Sequence, residues 1–190
     1  MGNRENDYFF AKGADVGWLQ QMEATGYIFY DTSGTPRDCL EILKDFCINS
    51  IRLRVWVNPS DDPRSGHNSI EEVAVMAQRV KKMGFKLMID FHYSDSWADP
   101  GKQYKPKAWE GHSVEQLVED VYQHTYNSLA LLKQNDVDVE WVQVGNEITN
   151  GMLWPEGHIS RFDQLVLFIN SGYNAVKDVY PNAKVIVHLD

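Results

Sequence analysis

Val142-Gln-Val-Gly-Asn-Glu-Ile148 is the stretch that decides the predicted fold. The run Trp141 to Val144 is short and apolar, and Gly145 ends it just before an amide and a carboxylate. A brief apolar run of this kind is typical of a strand buried in a parallel sheet. The stretch therefore predicts a strand that delivers Asn146 and Glu147 into a cleft at its carboxyl end.

Glu147 allows two interpretations. Apolar and aromatic neighbours, Trp154 among them, solvate a carboxylate poorly and favour its protonated form near neutral pH. A general acid needs such a proton to release a departing sugar oxygen. The alternative is a glutamate that only caps the next element, and the spacing alone does not separate the two.

Strand and helix patterns alternate along the chain. Helices are predicted to begin at Thr35, Ser69, Ser113 and Ser160, where a hydroxyl residue precedes an apolar stripe. Strands separated by helices pair in parallel through right-handed crossovers. The intervening segments 17–34, 58–68 and 92–112 are predicted loops, and the predicted strands are residues 9–16, 50–57, 85–91, 141–144 and 184–190.

Two architectures fit this alternation: a doubly wound open sheet, or part of a (β/α)8 TIM barrel. The first lacks its phosphate loop, because no Gly-x-Gly-x-x-Gly follows the first strand. Barrel enzymes carry their sites at the carboxyl ends of the strands. Polar and aromatic residues gather at those ends here, which favours the barrel: Asp15, Trp56, Asn58, Asp90, His92, Asn146, Glu147, His188 and Asp190.

We therefore predict an α/β chain in which residues 1–8 form a polar leader. Residues 9–190 are predicted to form the N-terminal part of a (β/α)8 barrel, with about five strands and four helices. A barrel interrupted there leaves two sheet edges unpaired, so we expect these residues alone to be unstable as a monomer.

Composition excludes two classes of partner. The formal net charge of -9 leaves no basic excess to neutralise phosphates, which argues against a nucleic-acid partner. No apolar run approaches the roughly 18 residues of a membrane span. The first six residues lack the apolar core of a signal peptide, which fits a cytoplasmic protein or a mature sequence without its leader.

Arg52 and Arg54 alternate with apolar residues on the second strand, so they face the same side of the sheet. Arginines inside a barrel are costly to bury unless they meet carboxylates. Arg54 lies nearer the carboxyl end, and we expect it to hold and orient an active-site acid. For Arg52 we expect a structural ion pair.

The loop after the third strand interleaves aromatic and charged residues. Aromatic faces stack on the C–H faces of sugar rings, and charged groups bind hydroxyls; the alternative is a loop packed by its own side chains. Asp90 and His92 precede it, but their spacing is weak support for a metal site, so we expect substrate hydrogen bonds and no metal. The loop contains Tyr93, Asp95, Trp97, Asp99, Lys102, Tyr104, Lys105 and Trp109.

Six segments of the chain are distinctive when taken together: Phe10-Ala-Lys-Gly-Ala-Asp-Val16, Ser50-Ile-Arg-Leu-Arg-Val-Trp-Val-Asn-Pro59, Asp90-Phe-His-Tyr-Ser-Asp-Ser-Trp-Ala-Asp-Pro-Gly-Lys-Gln103, Gln143-Val-Gly-Asn-Glu147, Gly151-Met-Leu-Trp-Pro155 and His188-Leu-Asp190. They resemble glycoside hydrolase family 53, whose members are endo-β-1,4-galactanases acting on the galactan side chains of pectin. The resemblance covers nearly the whole chain from about Phe9.

The resemblance implies a retaining hydrolase with Glu147 as acid/base and Asn146 binding the sugar beside the scissile bond. It places the nucleophile at the end of strand seven, beyond the last residue given, so we expect no turnover from these residues alone. It implies no required cofactor. Some members of the family bind a structural calcium ion, and the resemblance assigns that site to loops later in the family's sequence. The expected substrate contacts are Asp15, Asp90, His92, Asp95, Trp97, Asp99, Trp109, Trp154, His188 and Asp190.

Three functional hypotheses remain. The first is the N-terminal part of an endo-β-1,4-galactanase acting on pectic galactan or type I arabinogalactan, with a parent protein that is extracellular, periplasmic or on the cell surface. The second is a galactan-binding partial barrel without catalysis. The third is another retaining β-glycanase of the same clan, acting on mannan or xylan, and the motif at residues 90–103 favours the first over it.

Overall fold

The computed structural model describes residues 9–62 and 67–190, so the predicted leader, residues 1–8, lies outside it. The strands are β1 Gly13–Asp15, β2 Ser50–Val55, β3 Lys86–Phe91, β4 Trp141–Val144 and β5 Lys184–Ile186. The helices are α1 Leu19–Ala24, α2 Cys39–Asp45, α3 Ile70–Lys82, α4 Val114–Gln134 and α5 Phe162–Val179. Three short 3₁₀ turns occupy Lys107–Trp109, Ile148–Asn150 and Ile159–Arg161.

All five strands form one parallel sheet in the order β1-β2-β3-β4-β5. A doubly wound sheet reverses its strand order at a switch point. Here each strand lies beside its predecessor in the chain, which is the winding of a barrel wall. The structure thus separates the two predicted architectures in favour of the barrel.

The hydrophobic core lies between one face of the sheet and the helices. The side chains of Val55, Ile89 and Val142 alternate onto that face and are completely buried. Helix α3 packs on β2 and β3, α5 packs on β4, and α4 contacts both of these helices. The predicted stripe Val73, Ala77 and Val80 of α3 is buried in this layer, and each large apolar side chain buried there contributes about 1.5–3 kcal/mol.

The opposite face of the sheet corresponds to the inside of a barrel. Near the amino ends of the strands it carries Met88, Trp141 and Ile186, which are only half-buried and line a cavity of about 490 Å³. Towards the carboxyl ends the same face becomes polar, because Arg54 is in register with Asp90 and Asp90 with Gln143. The strands therefore position a polar cluster at one end of an otherwise apolar surface.

Helices α3 and α4 begin at the predicted residues. The hydroxyl oxygen of Ser69 accepts a hydrogen bond from the backbone N–H of Glu72. At α4, Ser113 and Gln116 complete a reciprocal capping box, in which each side chain accepts from the backbone N–H of the other residue. At α3 the carboxylate of Glu72 does not complete a box of this kind with Ser69, and it contacts His67 Nδ1 at 2.8 Å.

The predicted start of α2 at Thr35 is wrong. Asp38 is the capping residue, because its Oδ1 accepts from the backbone N–H groups of Leu40 and Glu41. Thr35 belongs to a preceding turn in which its N–H donates to the carboxylate of Asp31.

Other boundaries also differ from the prediction. Ser160 lies in a 3₁₀ turn, and α5 begins at Phe162. The six-residue α1 lies within a predicted loop, and its capping residue Trp18 makes no side-chain cap bond that the sequence could have revealed. Strands β1 and β5 have three residues each, shorter than predicted, as expected for strands at the two edges of the described sheet.

Gly172 permits close packing of α5 on the sheet. A Cβ atom there would lie 2.7 Å from Val144 Cγ1 and 2.9 Å from the Tyr93 hydroxyl oxygen. We predict that Gly172→Ala lowers the free energy of unfolding by about 1–3 kcal/mol through overpacking, although alanine is the better helix former. Asn174→Ala, on the exposed side of the same helix, is the control and should be neutral or slightly stabilising in chemical denaturation. A stabilising Gly172→Ala would contradict this packing.

His124 makes the folded protein sensitive to acid. Its ring lies 5.6 Å from Phe91 and 6.0 Å from Trp109, and burial lowers its pKa to about 4. The unfolded chain therefore binds a proton at this residue between about pH 6.5 and 4 that the folded protein does not. The free energy of unfolding should be highest above this pH window and should fall by up to about 3 kcal/mol as the pH falls through it.

Thermal melts over this pH range check the prediction. His124→Phe should flatten the acid loss, whereas His112→Phe should not, because His112 is only partly buried and pairs with Asp120. Equal pH dependence in the native protein and His124→Phe would exclude His124 as the cause.

Candidate active site

Arg52, on β2, contacts residues of the three other strands β1, β3 and β4 at the polar end of the sheet face that corresponds to the inside of a barrel. Its Nε donates to Asp15 Oδ2 at 2.8 Å, and its Nη1 lies 3.2 Å from Gln143 Oε1 and 3.8 Å from Asp90 Oδ2. Burial opposes the charged form, yet the carboxylates of Asp90, Asp15 and Glu147 hold the pKa of Arg52 above its usual value. The expected ion pair is present, and Arg52 also carries positive charge towards Glu147.

The side chain of Gln143 is the centre of the cluster. Its Nε2 lies 2.5 Å from Asp90 Oδ1, 3.1 Å from Asn146 Oδ1 and 3.1 Å from the Gly145 carbonyl oxygen. Its Oε1 accepts from Arg52. One buried amide therefore joins the arginine of β2, the carboxylate of β3 and the Asn146–Glu147 pair that follows β4.

His92 extends this cluster into the loop after β3. Its Nδ1 accepts from the backbone N–H of Ala98 at 3.1 Å, so the ring proton lies on Nε2, which is 3.2 Å from Asp90 Oδ2. The amide of Asn146 donates to the Ala98 carbonyl oxygen at 2.9 Å. Asp90 and His92 are 0% and 2% exposed, so these predicted substrate contacts support other groups rather than face open space.

Glu147 does not cap the element that follows it. It occupies the capping position of the 3₁₀ turn Ile148–Asn150 in a left-handed conformation (φ 50°, ψ 51°), and its side chain makes no capping bond. The residue is half-buried. Its carboxyl group has no hydrogen-bond partner within residues 9–62 and 67–190. The capping alternative therefore has no support, and the carboxyl group remains available for a ligand.

His188, just beyond β5, contacts both members of the Asn146–Glu147 pair. Its Nδ1 accepts from the backbone N–H of Glu147 at 3.3 Å and lies 3.0 Å from Asn146 Oδ1. The first contact needs an unprotonated Nδ1 and the second a protonated one. Each tautomer of His188 therefore bonds one member of the pair, the backbone of Glu147 or the side chain of Asn146. Asp190 is exposed, and its backbone N–H donates to the Thr149 hydroxyl.

Arg54 lies in an aromatic box beside the cluster. Its guanidinium carbon is 4.0, 5.1 and 5.8 Å from the ring centroids of Trp97, Trp18 and Trp56, and its nearest carboxylate is Asp15 at 3.6 Å. Burial lowers the pKa of Arg54, and Asp15 offsets only part of this effect. Within the described residues its Nε and Nη2 atoms have no hydrogen-bond partner.

A cavity of about 350 Å³ adjoins this box, lined by Asp15, Trp18, Arg52, Arg54 and Trp97 among others. Trp97 is half-buried, and its ring packs edge-on against Trp18 at 5.5 Å. The structure therefore brings the predicted residues Asp15, Arg54 and Trp97 together beside an open space.

Four other predicted contacts have structural partners. Asp95 accepts from the backbone N–H groups of Asn58 and Lys107, and Asp99 accepts from that of Gly101, so both stabilise the loop itself. Trp109 is buried against His124 in the core, away from the polar cluster, because it lies in a turn that packs on α4. Trp154 is half-buried, and its indole N–H donates to the Asn150 carbonyl oxygen.

Sequence reasoning did not single out Gln143 or Gln103. Gln143 is a polar residue within a buried strand, at a position that faces the same side as Asp90, and that parity was a usable signal. Gln103 lies in an irregular loop, where no periodicity indicates the direction of its side chain.

Within the described ranges, no three His, Cys, Asp or Glu side chains are grouped closely enough to hold a metal ion. No helix in the same ranges is long and apolar enough to cross a membrane.

Known proteins match this chain closely. The GH53 catalytic domain of Ignisphaera aggregans superposes with a TM-score of 0.88 and 42% identity, over 95% of this chain and 51% of that one. A probable arabinogalactan endo-beta-1,4-galactanase A of Neosartorya fischeri is 36% identical, over 94% of this chain and 50% of its own. The endo-beta-1,4-galactanase of Bacillus subtilis is also 36% identical, over 94% of this chain and 42% of its own.

The chain thus spans about half the length of these relatives, and its sheet corresponds to part of a (β/α)8 barrel. A model of glycosyl hydrolase family 53 matches residues 11–190. These matches confirm the resemblance inferred from the sequence motifs. The chain belongs to glycosyl hydrolase family 53.

Proposed function

We propose that this chain supplies the proton-donating side of a retaining endo-β-1,4-galactanase. The observation that carries the proposal is the state of Glu147: a half-buried carboxyl group at the end of β4, without a hydrogen-bond partner in the described ranges, and beside Asn146. A general acid must keep its carboxyl group free for the leaving oxygen. The names of the relatives suggest β-1,4-linked galactan or arabinogalactan as the substrate, and the family resemblance of the sequence motifs extends this proposal to the galactan of pectin and to type I arabinogalactan.

In the proposed reaction, Glu147 donates its proton to the glycosidic oxygen as the bond to the anomeric carbon breaks. A second carboxylate attacks that carbon from the opposite side, with the two carboxyl groups about 5–5.5 Å apart. Glu147 then accepts a proton from the water that releases the sugar. Asn146 is proposed to bind the sugar next to the scissile bond, because Gln143 and Ala98 fix its amide from both sides.

The second carboxylate is proposed to come from a later strand of a longer protein. The family resemblance suggests the end of strand seven as its position, and the matched relatives are about twice as long as this chain. Arg54 is proposed to orient that carboxylate. Its Nε and Nη2 atoms find no hydrogen-bond partner in residues 9–62 and 67–190, which supports this role, since a buried guanidinium needs acceptors.

The remaining residues are proposed to bind or support the substrate chain. Trp97 and Asp15 border the cavity beside Arg54 and are suited to stacking on a sugar ring and to binding its hydroxyls. Trp154 and His188 are proposed to bind the sugars nearest Glu147, since His188 contacts the backbone N–H of Glu147. A polymeric galactan does not cross a membrane, so we propose that the parent protein acts outside the cytoplasm.

The acid role predicts dependence on the leaving group. In the complete protein that contains these residues, Glu147→Ala should lower kcat/KM on galactan by about 10²- to 10⁴-fold. Galactosides with nitrophenol-type leaving groups need no protonation and should lose much less. Glu140→Gln is the control, because Glu140 lies at the other end of β4 and pairs with Lys86 and Lys184. Equal losses of Glu147→Ala on both substrates would remove the acid assignment.

The two loop tryptophans should behave differently. Trp97→Ala is predicted to raise KM for galactan about tenfold, since an aromatic platform contributes roughly 0.5–1.5 kcal/mol beyond its buried area. Trp109→Phe should lower the melting temperature and leave KM unchanged, because its ring belongs to the core. Steady-state kinetics and thermal melts on both variants test this. An unchanged KM in Trp97→Ala would exclude the platform.

A further inference from the structure

Gln103 links the loop after β3 to the backbone around Glu147. It is 2% exposed, and its Nε2 lies 2.7 Å from the Asn146 carbonyl oxygen and 3.2 Å from that of Glu147. The same Nε2 lies 3.2 Å from the Asp99 carbonyl oxygen, and the Gln103 carbonyl accepts from the backbone N–H of Trp154 at 2.8 Å. A single buried residue therefore ties down both carbonyl groups that flank the Glu147 side chain.

This contact depends on the left-handed backbone of Glu147. Successive carbonyl groups point the same way in a helical backbone of either hand and in alternate directions in an extended one. One amide nitrogen can therefore approach the carbonyls of Asn146 and Glu147 together only while Glu147 is helical. The φ of Glu147, +50°, lies in the left-handed region that only a few per cent of residues other than glycine adopt.

The backbone conformation of Glu147 sets where its carboxyl group lies. No hydrogen bond within the described part of the chain holds that carboxyl group, so the direction of the Cα–Cβ bond decides its reach. A change towards an extended backbone would turn the side chain elsewhere. Displacement of a reacting group by about 1 Å can cost on the order of 10²-fold in rate.

We infer that Gln103 is a positioning residue for the reaction: its amide holds Glu147 in the left-handed conformation that presents the acid to the leaving oxygen. The inference rests on the proposed acid role of Glu147. Gln103 acts through the backbone and touches no reacting atom. Its partners are main-chain carbonyls, so an amide donor of glutamine length is what the position requires.

The first test is Gln103→Met in the complete protein, which keeps the length of the side chain and removes the donor. We expect kcat on galactan to fall by about ten- to a hundredfold, with KM within about threefold of the native value. The loss should be smaller for nitrophenyl galactosides, which need no acid. Gln123→Met is the matched control, because Gln123 is exposed on α4 and bonds only Glu119 among the described residues.

A second variant separates positioning from loss of fold. Gln103→Glu preserves the shape, and its introduced carboxyl group can donate one hydrogen bond only while protonated. Its activity relative to the native protein should therefore be highest at acid pH and decline as the pH rises. Because an ionised carboxylate at this buried position would also destabilise the fold, activity is compared at each pH well below the melting temperature measured for the variant at that pH.

The outcomes distinguish this inference from the proposed function. If Glu147→Ala shows leaving-group dependence but Gln103→Met loses activity equally on both substrates, or not at all, the positioning role is wrong and the acid assignment stands. If Glu147→Ala itself shows no such dependence, the proposed function fails. A flat pH profile of Gln103→Glu relative to the native protein would also overturn the positioning role.

Discussion

The side-chain amide of Gln143 is the contact on which the rest of the site depends. It is 1% exposed among Asp90, Asn146 and Arg52, where an unpaired polar group would cost about 1–3 kcal/mol. Each side chain of this cluster is therefore held in its position by hydrogen bonds to the others. The parallel register of β2, β3 and β4 brings the members together, and the cluster in turn fixes where the Asn146–Glu147 pair leaves the sheet.

Much of the fold was predictable because its signals are local. Alternating apolar positions identified β2 and β3, and hydroxyl caps located the starts of α3 and α4. The errors in helix boundaries arose where the same short segment could form two different turns or caps. Thr35 followed by proline suggests a helix start, but the turn at Asp31 engages Thr35 and Asp38 caps instead. The short α1 depends on tertiary packing of Leu19 and has no such signal.

The site was predictable in outline and not in detail. The predicted strand ends brought Glu147, Asn146 and Asp90 to one edge, where the structure also has them, because parallel strands bring their carboxyl ends to one edge. The loop residues were harder: Trp97 borders the cavity whereas Trp109 enters the core, and both are tryptophans in one aromatic segment. Only the path of the loop distinguishes them. That path also directs Gln103 onto the backbone of Glu147.

The proposed function requires the carboxyl group of Glu147 to be the proton donor of a glycosidase site. A crystal structure of the complete protein with a galactan oligosaccharide spanning the site tests this. We expect a Glu147 carboxyl oxygen about 2.6–3.2 Å from a glycosidic oxygen, and a second carboxylate about 5–5.5 Å from Glu147 across the sugar. A bound oligosaccharide whose glycosidic oxygens all lie beyond hydrogen-bonding distance of Glu147 would contradict it.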